Sequence, residues 1–135
     1  MLSSTYHDEK LISIAASENS LTLQIYSESK TSTIQLNDLV KLRATDFEEG
    51  NIINIVQIFD AHNAPTGEAT YRSLIKYAYG ISNDDLKKNP KLSSFLNNKI
   101  REYEKGSLLI LEVEPSYGCY LVAIGRTISE AVTST

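Results

Sequence analysis

Asn51-Ile52-Ile53-Asn54-Ile55-Val56-Gln57-Ile58-Phe59 is the most apolar run of the chain, and its length and β-branched content read as one strand. Apolar residues fill both alternations, the pattern of a central strand covered on two sides, or on one side plus a partner. Around it, from Ala44 to Tyr71, stand five carboxylates (Asp46, Glu48, Glu49, Asp60 and Glu68) and no Lys or Arg. An acidic rim on a stiff strand reads as a docking surface for a basic partner. It carries no catalytic pattern.

Toward the N-terminus the alternation continues. Ile12, Ile14 and Ala16 share one face of a first strand, and Leu21, Leu23 and Ile25 one face of a second. A third strand carries Ile34 and Leu36 and runs through a kink at Asn37-Asp38 into Val40, Leu42 and Ala44. Asn51–Phe59 is then the fourth.

Toward the C-terminus the period changes. Tyr71, Leu74, Ile75 and Ala78 form a helical stripe that Gly80 ends, and Asn89-Pro90 opens a second helix with Leu92, Phe95, Leu96, Ile100 and Tyr103. Ser82-Asn83-Asp84-Asp85 caps at most a short turn between them. Leu109–Val113 and Cys119–Ile124 read as a closing hairpin around Pro115-Ser116-Tyr117-Gly118, docked beside the fourth strand. Thr127-Ile128-Ser129-Glu130 has the spacing of a capping box, with room for only a short helix. The expectation is an α+β domain over residues 1–135, with a bent, mostly antiparallel sheet of about six strands. Two helices pack on one face, in the order ββββααββ.

Composition narrows the function. At 135 residues, 41% hydrophobic and 22% charged, the chain is long enough to bury a core without staples. A single cysteine, Cys119, excludes an internal disulfide and reads as a small buried hydrophobe. The N-terminal residues lack a basic segment followed by an apolar one, and no apolar run approaches the ~20 residues that span a bilayer. The expectation is a cytoplasmic protein. A formal net charge of −4 argues against sequence-independent binding of nucleic acid. Lys87, Lys88, Lys91, Lys99, Arg101 and Lys105 are diluted by Asp84, Asp85, Glu102 and Glu104, and read as a solvated helix face.

Three constellations carry candidate chemistry. Glu112 and Glu114 project on one side of a strand, roughly 7 Å apart by strand geometry, a spacing open to a hydrolase pair or a metal. Asp60 and His62 share the loop Asp60–Pro65, but no G-x-S-x-G elbow supplies a serine. Two histidines and one cysteine without ligand spacing predict no metal site, and the absence of a Gly-rich loop before a helix predicts no nucleotide cofactor. His7 falls in an N-terminal stretch read as mobile. Six of the eight tyrosines lie in the second half; Tyr77 and Tyr79 fall off the helical stripe and Tyr117 lies on a turn, so these three are the candidate interface anchors.

Asp46-Phe47-Glu48-Glu49-Gly50-Asn51-Ile52-Ile53 and Glu114-Pro115-Ser116-Tyr117-Gly118-Cys119 resemble segments of small bacterial proteins similar in size to the immunity proteins that neutralise antibacterial toxins. The resemblance implies a single acidic domain that occludes a toxin by protein–protein binding. The expected partner-binding residues are Asp46, Glu48, Glu49, Asp60, Glu68, Tyr77, Tyr79 and Tyr117, facing a basic target such as a nuclease. The competing expectations are a small hydrolase or ligand-binding domain built on a carboxylate pair, and a subunit that self-associates through an open sheet edge.

Overall fold

The computed structural model describes residues 2–62 and 67–134. The chain runs β1 (Lys10–Ala16), β2 (Ser20–Ser27), β3 (Lys30–Asn37), β4 (Lys41–Thr45), β5 (Ile52–Phe59), α1 (Glu68–Tyr79), α2 (Asn83–Lys88), α3 (Pro90–Glu104), β6 (Leu109–Tyr117), β7 (Tyr120–Gly125) and β8 (Thr127–Ser134). The α+β class with an antiparallel sheet holds; the element count does not. There are eight strands rather than six, and three helices rather than two, in the order βββββαααβββ.

Each discrepancy has a local cause. The expected third strand is two, because Asp38 adopts a left-handed φ of 53° and breaks β3 from β4. Thr127–Glu130 extends into β8, not a helix: eight consecutive residues pair with β3, from Asn37↔Thr127 to Lys30↔Ser134. That ladder outweighs a capping box with nothing to cap. The third helix, α2, rests on a complete capping box between Ser82 and Asp85, and Asn89-Pro90 ends it while starting α3.

The sheet order is β4-β7-β6-β5-β1-β2-β3-β8, and every pairing is antiparallel. Its two ends meet, because β3 runs on into β4 and β7 into β8. The two continuous ribbons stay bonded across the junction, through Arg126 N to Asn37 O (3.0 Å) and Val40 N to Ile124 O (2.8 Å). The sheet therefore curls into a barrel. Leu11, Leu21, Leu23, Ile25, Ile34, Leu36, Ile53, Leu111, Val113, Leu121 and Ala123 fill its interior. Tyr6 is buried with them, and the N-terminal segment is pinned on β5 by Val56 N to Thr5 O (2.9 Å) and Asp8 N to Ile53 O (2.8 Å). The stretch holding His7 is thus part of the barrel wall, contrary to its reading as mobile.

The helices cover one side. Tyr71, Leu74, Ile75 and Ala78 of α1 pack with Leu96, Ile100 and Tyr103 of α3 against Ile110, Val122 and Ile124. The strands buried on both faces are β6 and β7; β5 is only half-buried along most of its length. Gly80, at φ 65°, closes α1 by letting Ile81 N reach Lys76 O at 2.9 Å. Among the described residues no helix is long and apolar enough to cross a membrane.

Candidate functional site

The six residues between β4 and β5 hold three of the expected carboxylates. Asp46, Glu48 and Glu49 are all exposed there. The loop turns through two left-handed residues, Asp46 at φ 58° and Gly50 at φ 80°. Asn51 then locks it. Its side chain is buried, and its Oδ1 accepts from the backbone N–H of Glu48 (2.9 Å) and of Cys119 (3.1 Å), while Nδ2 donates to Leu11 O (3.3 Å). One amide therefore ties the loop to itself, to β1 and to the β6–β7 turn. Gly118, at φ 93°, makes room for it: a Cβ there would lie 2.2 Å from Asn51 Oδ1. The Tyr117 hydroxyl donates to Glu48 at 2.6 Å, which raises the Tyr117 phenol above its ordinary value.

The two strings singled out in the sequence, Asp46–Ile53 and Glu114–Cys119, thus meet in space. None of the ion pairs among the described residues involves Asp46, Glu48 or Glu49. Cys119 is buried beneath the loop, and burial first, then the nearby Asp46 charge, raise its thiol.

Beside the acids lies an apolar groove of about 320 Å³, lined by Ile12, Ser13, Ile14 and Phe47. Ile12 is 52% exposed and Phe47 48% exposed, and both border this groove. Neither was singled out as a site residue. The signal for Phe47 was its place between acids, with no helical or strand stripe to absorb it. Ile12 looked like part of one strand face with Ile14, but Leu11 takes the inward place beside it. The β1–β2 register shift between Leu11 and Ser13 brings Ile14 rather than Ile12 against the core.

The other expected residues lie elsewhere. Asp60 sits beyond the far end of β5, whose eight residues span about 26 Å. Its Oδ1 accepts from the backbone N–H of His62 at 2.7 Å, so the pair forms a local turn. The rest of that expected loop, Asn63–Pro65, lies outside the described residues. Glu68 is in the first turn of α1, where the helix dipole favours a carboxylate.

Tyr77 and Tyr79 are only partly exposed, because they bind α1 to its neighbours. The Tyr77 ring meets Tyr120 edge-on at 4.9 Å with Arg43 4.4 Å above it, and its hydroxyl lies 3.1 Å from Thr45 Oγ1. Tyr79 packs on Phe95 of α3. Of the three expected anchors only Tyr117, 53% exposed, lies beside the acids, with its hydroxyl on Glu48.

Glu112 and Glu114 do share the outer side of β6. Each already has a donor: the Tyr120 hydroxyl on Glu112 at 2.6 Å and Asn54 Nδ2 on Glu114 at 3.3 Å. Burial, then the Glu112 hydrogen bond, push the Tyr120 phenol far up. Among the described residues no cluster of three or more His, Cys, Asp or Glu is placed to hold a metal ion. Comparison of the chain with protein-family models, curated proteins and solved structures finds no match.

Proposed function

We propose that this chain is a small acidic binding protein that docks a basic protein partner on the loop between β4 and β5 and on the groove beside it. The observation that carries the reading is Phe47, an exposed aromatic ring between carboxylates that pair with no base among the described residues, on a loop locked by Asn51. An aromatic anchor ringed by charge is the composition of an interface hot spot. Three exposed carboxylates in four residues raise the encounter rate with a basic surface, and do so most at low salt.

The likeness of the two strings to immunity-type proteins supports a toxin-neutralising role in a bacterial cytoplasm, with a nuclease-like basic domain as target. In that role binding alone inhibits, so the chain needs no catalytic group. Asp60, Glu68 and Tyr79 fall outside the proposed surface.

The test is local charge reversal. Glu48→Lys with Glu49→Lys removes four units of negative charge, the whole of the formal −4. Asp60→Lys with Glu68→Lys makes the same net change at the far end of β5. With a purified partner identified by cross-linking, the first pair is expected to weaken binding by about tenfold or more and to flatten its salt dependence. The second pair leaves affinity within about threefold. Equal effects from both pairs would refute the assignment to this loop.

A further inference from the structure

Strand β1 has one satisfied side and one largely open side. Toward β2 it is paired along its length, with Ser13↔Gln24, Ile14↔Leu23, Ala15↔Thr22 and Ala16↔Leu21 after the shift at Ile12. Toward β5 its pairing stops early. Lys10 pairs with Ile52 and Leu11 N donates to Asn51 O at 3.2 Å; beyond that, among the described residues, no backbone hydrogen bond joins Ile12–Ala16 to anything but β2. The cause is the turn at Gly50, which takes the chain away from β1 just where β5 begins. The barrel wall splits there. One lip is the free edge of β1, the other is Phe47 on the acidic loop, and the groove lies between them.

Natural edge strands are commonly blunted by lysine, proline or an inward charge. Ile12-Ser13-Ile14-Ala15-Ala16 carries none of these. The terminal strand β8, paired only with β3, does carry such a guard. Glu130 stands opposite core Ile34 and is held there by Ser3 and Tyr6. The unguarded edge is the one that adjoins the apolar groove and the carboxylates.

We propose that the split between β1 and the β4–β5 loop takes an extended, basic segment of a protein partner as an added strand. Its backbone pairs with the free edge at Ile12–Ala16, its apolar side chains cover Ile12 and Phe47, and its Lys or Arg side chains reach Asp46, Glu48 and Glu49. Strand addition draws affinity from main-chain hydrogen bonds and specificity from alternate side chains. The groove, about 320 Å³, has room for the side chains of a single strand. The basic character of the segment rests on the acidic-docking reading above; the strand pairing does not.

The probe is an octapeptide of alternating valine and lysine, compared with the same peptide N-methylated at two adjacent central residues so that both its edges are blocked. Fluorescence anisotropy with the full chain gives affinity, and NMR hydrogen exchange follows the amides of residues 12–16. The parent peptide is expected to bind and to slow exchange in that segment; the methylated peptide binds about tenfold more weakly. Phe47→Ala, at an exposed position, weakens the parent without changing the fold. Equal binding of both peptides, lost from each on reversing Glu48 and Glu49, would overturn strand addition while leaving acidic docking intact. Failure of the parent peptide to bind would also overturn it, whatever the charge-reversal experiment shows for the whole partner.

Discussion

Replacing Gly118 by alanine probes the joint on which the candidate surface rests. The new Cβ would fall 2.2 Å from Asn51 Oδ1 and 3.1 Å from its Cγ, at a φ of 93° that L residues rarely adopt. Two costs follow. The dihedral alone costs about 1–2 kcal/mol. The clash drives the Asn51 amide away from the N–H groups of Glu48 and Cys119, and a buried donor left without its acceptor costs about 1–3 kcal/mol. Gly118→Ala is therefore expected to destabilise by roughly 2–5 kcal/mol, and Asn51→Ala by roughly 2–4 kcal/mol.

The decisive quantity is the double mutant. With Asn51 cut to alanine, the atoms at 2.2 and 3.1 Å are gone and the nearest remaining one is the Cα at 3.3 Å. Adding Gly118→Ala then costs only the dihedral share, so the two changes are sub-additive by about 1–3 kcal/mol. Urea unfolding of the four proteins at neutral pH measures this directly. Additivity within about 0.5 kcal/mol would show that Gly118 is not making room for Asn51. The account of a locked loop would then fail with it.

Two further outcomes follow from titration and from the sheet edge. The Tyr71 hydroxyl donates to Glu104 at 2.6 Å, and that bond first, then burial, push its phenol up to about 12. An unfolded tyrosine loses its proton near pH 10, so between about 10 and about 12 the folded state holds the extra proton and stability falls as pH rises. Tyr71→Phe should shallow that alkaline limb in unfolding measurements; an unchanged limb would assign it elsewhere. At β8, burial alone would raise the Glu130 carboxyl, but bonds from Tyr6 and Ser3 outweigh it and hold it below its ordinary value. Glu130→Val removes the inward charge that guards this edge. Light scattering should show mass rising with concentration above the 15.0 kDa of one chain, and a concentration-independent mass would reject the guard role.

Much of the architecture was legible where a local pattern and its tertiary setting agree. The stripe Tyr71, Leu74, Ile75, Ala78 is the buried face of α1, Gly80 is its left-handed terminus, and the hairpin of β6 and β7 lies beside β5. What escaped depends on neighbours distant in sequence. Two-sided burial fell to β6 and β7 because α1 and α3 lie over them, which no periodicity in Ile52–Phe59 reports. Thr127–Glu130 carries a helix-start pattern, yet it pairs with β3 because the end of β7 delivers it there. The acidic run read as one rim, but an extended strand separates its members: three carboxylates stand at one end of β5 and Asp60 at the other. Tyr77 and Tyr79 looked free because a single helix wheel cannot show the second helix or Arg43, which occupy them.

The joining of the two strings bears on how the surface binds. Asp46, Glu48 and Glu49 repel one another, and a loop free to move would spread them into solvent. Here Asn51 holds the backbone of Glu48 and Tyr117 holds its carboxylate, so the charges keep a set spacing before any partner arrives. A preordered site loses less conformational freedom on association, and more of its contact energy survives as affinity. Buried polar ties of this kind are exposed to a single defect, since the N–H groups of Glu48 and Cys119 share one acceptor, Asn51 Oδ1. Loosening the loop through Gly118→Ala should therefore weaken binding even though Gly118 offers a partner no side chain. The loss should appear mainly in the dissociation rate, whereas reversing Glu48 and Glu49 acts mainly on association. Those two kinetic signatures separate a surface defined by its shape from one defined only by its charge.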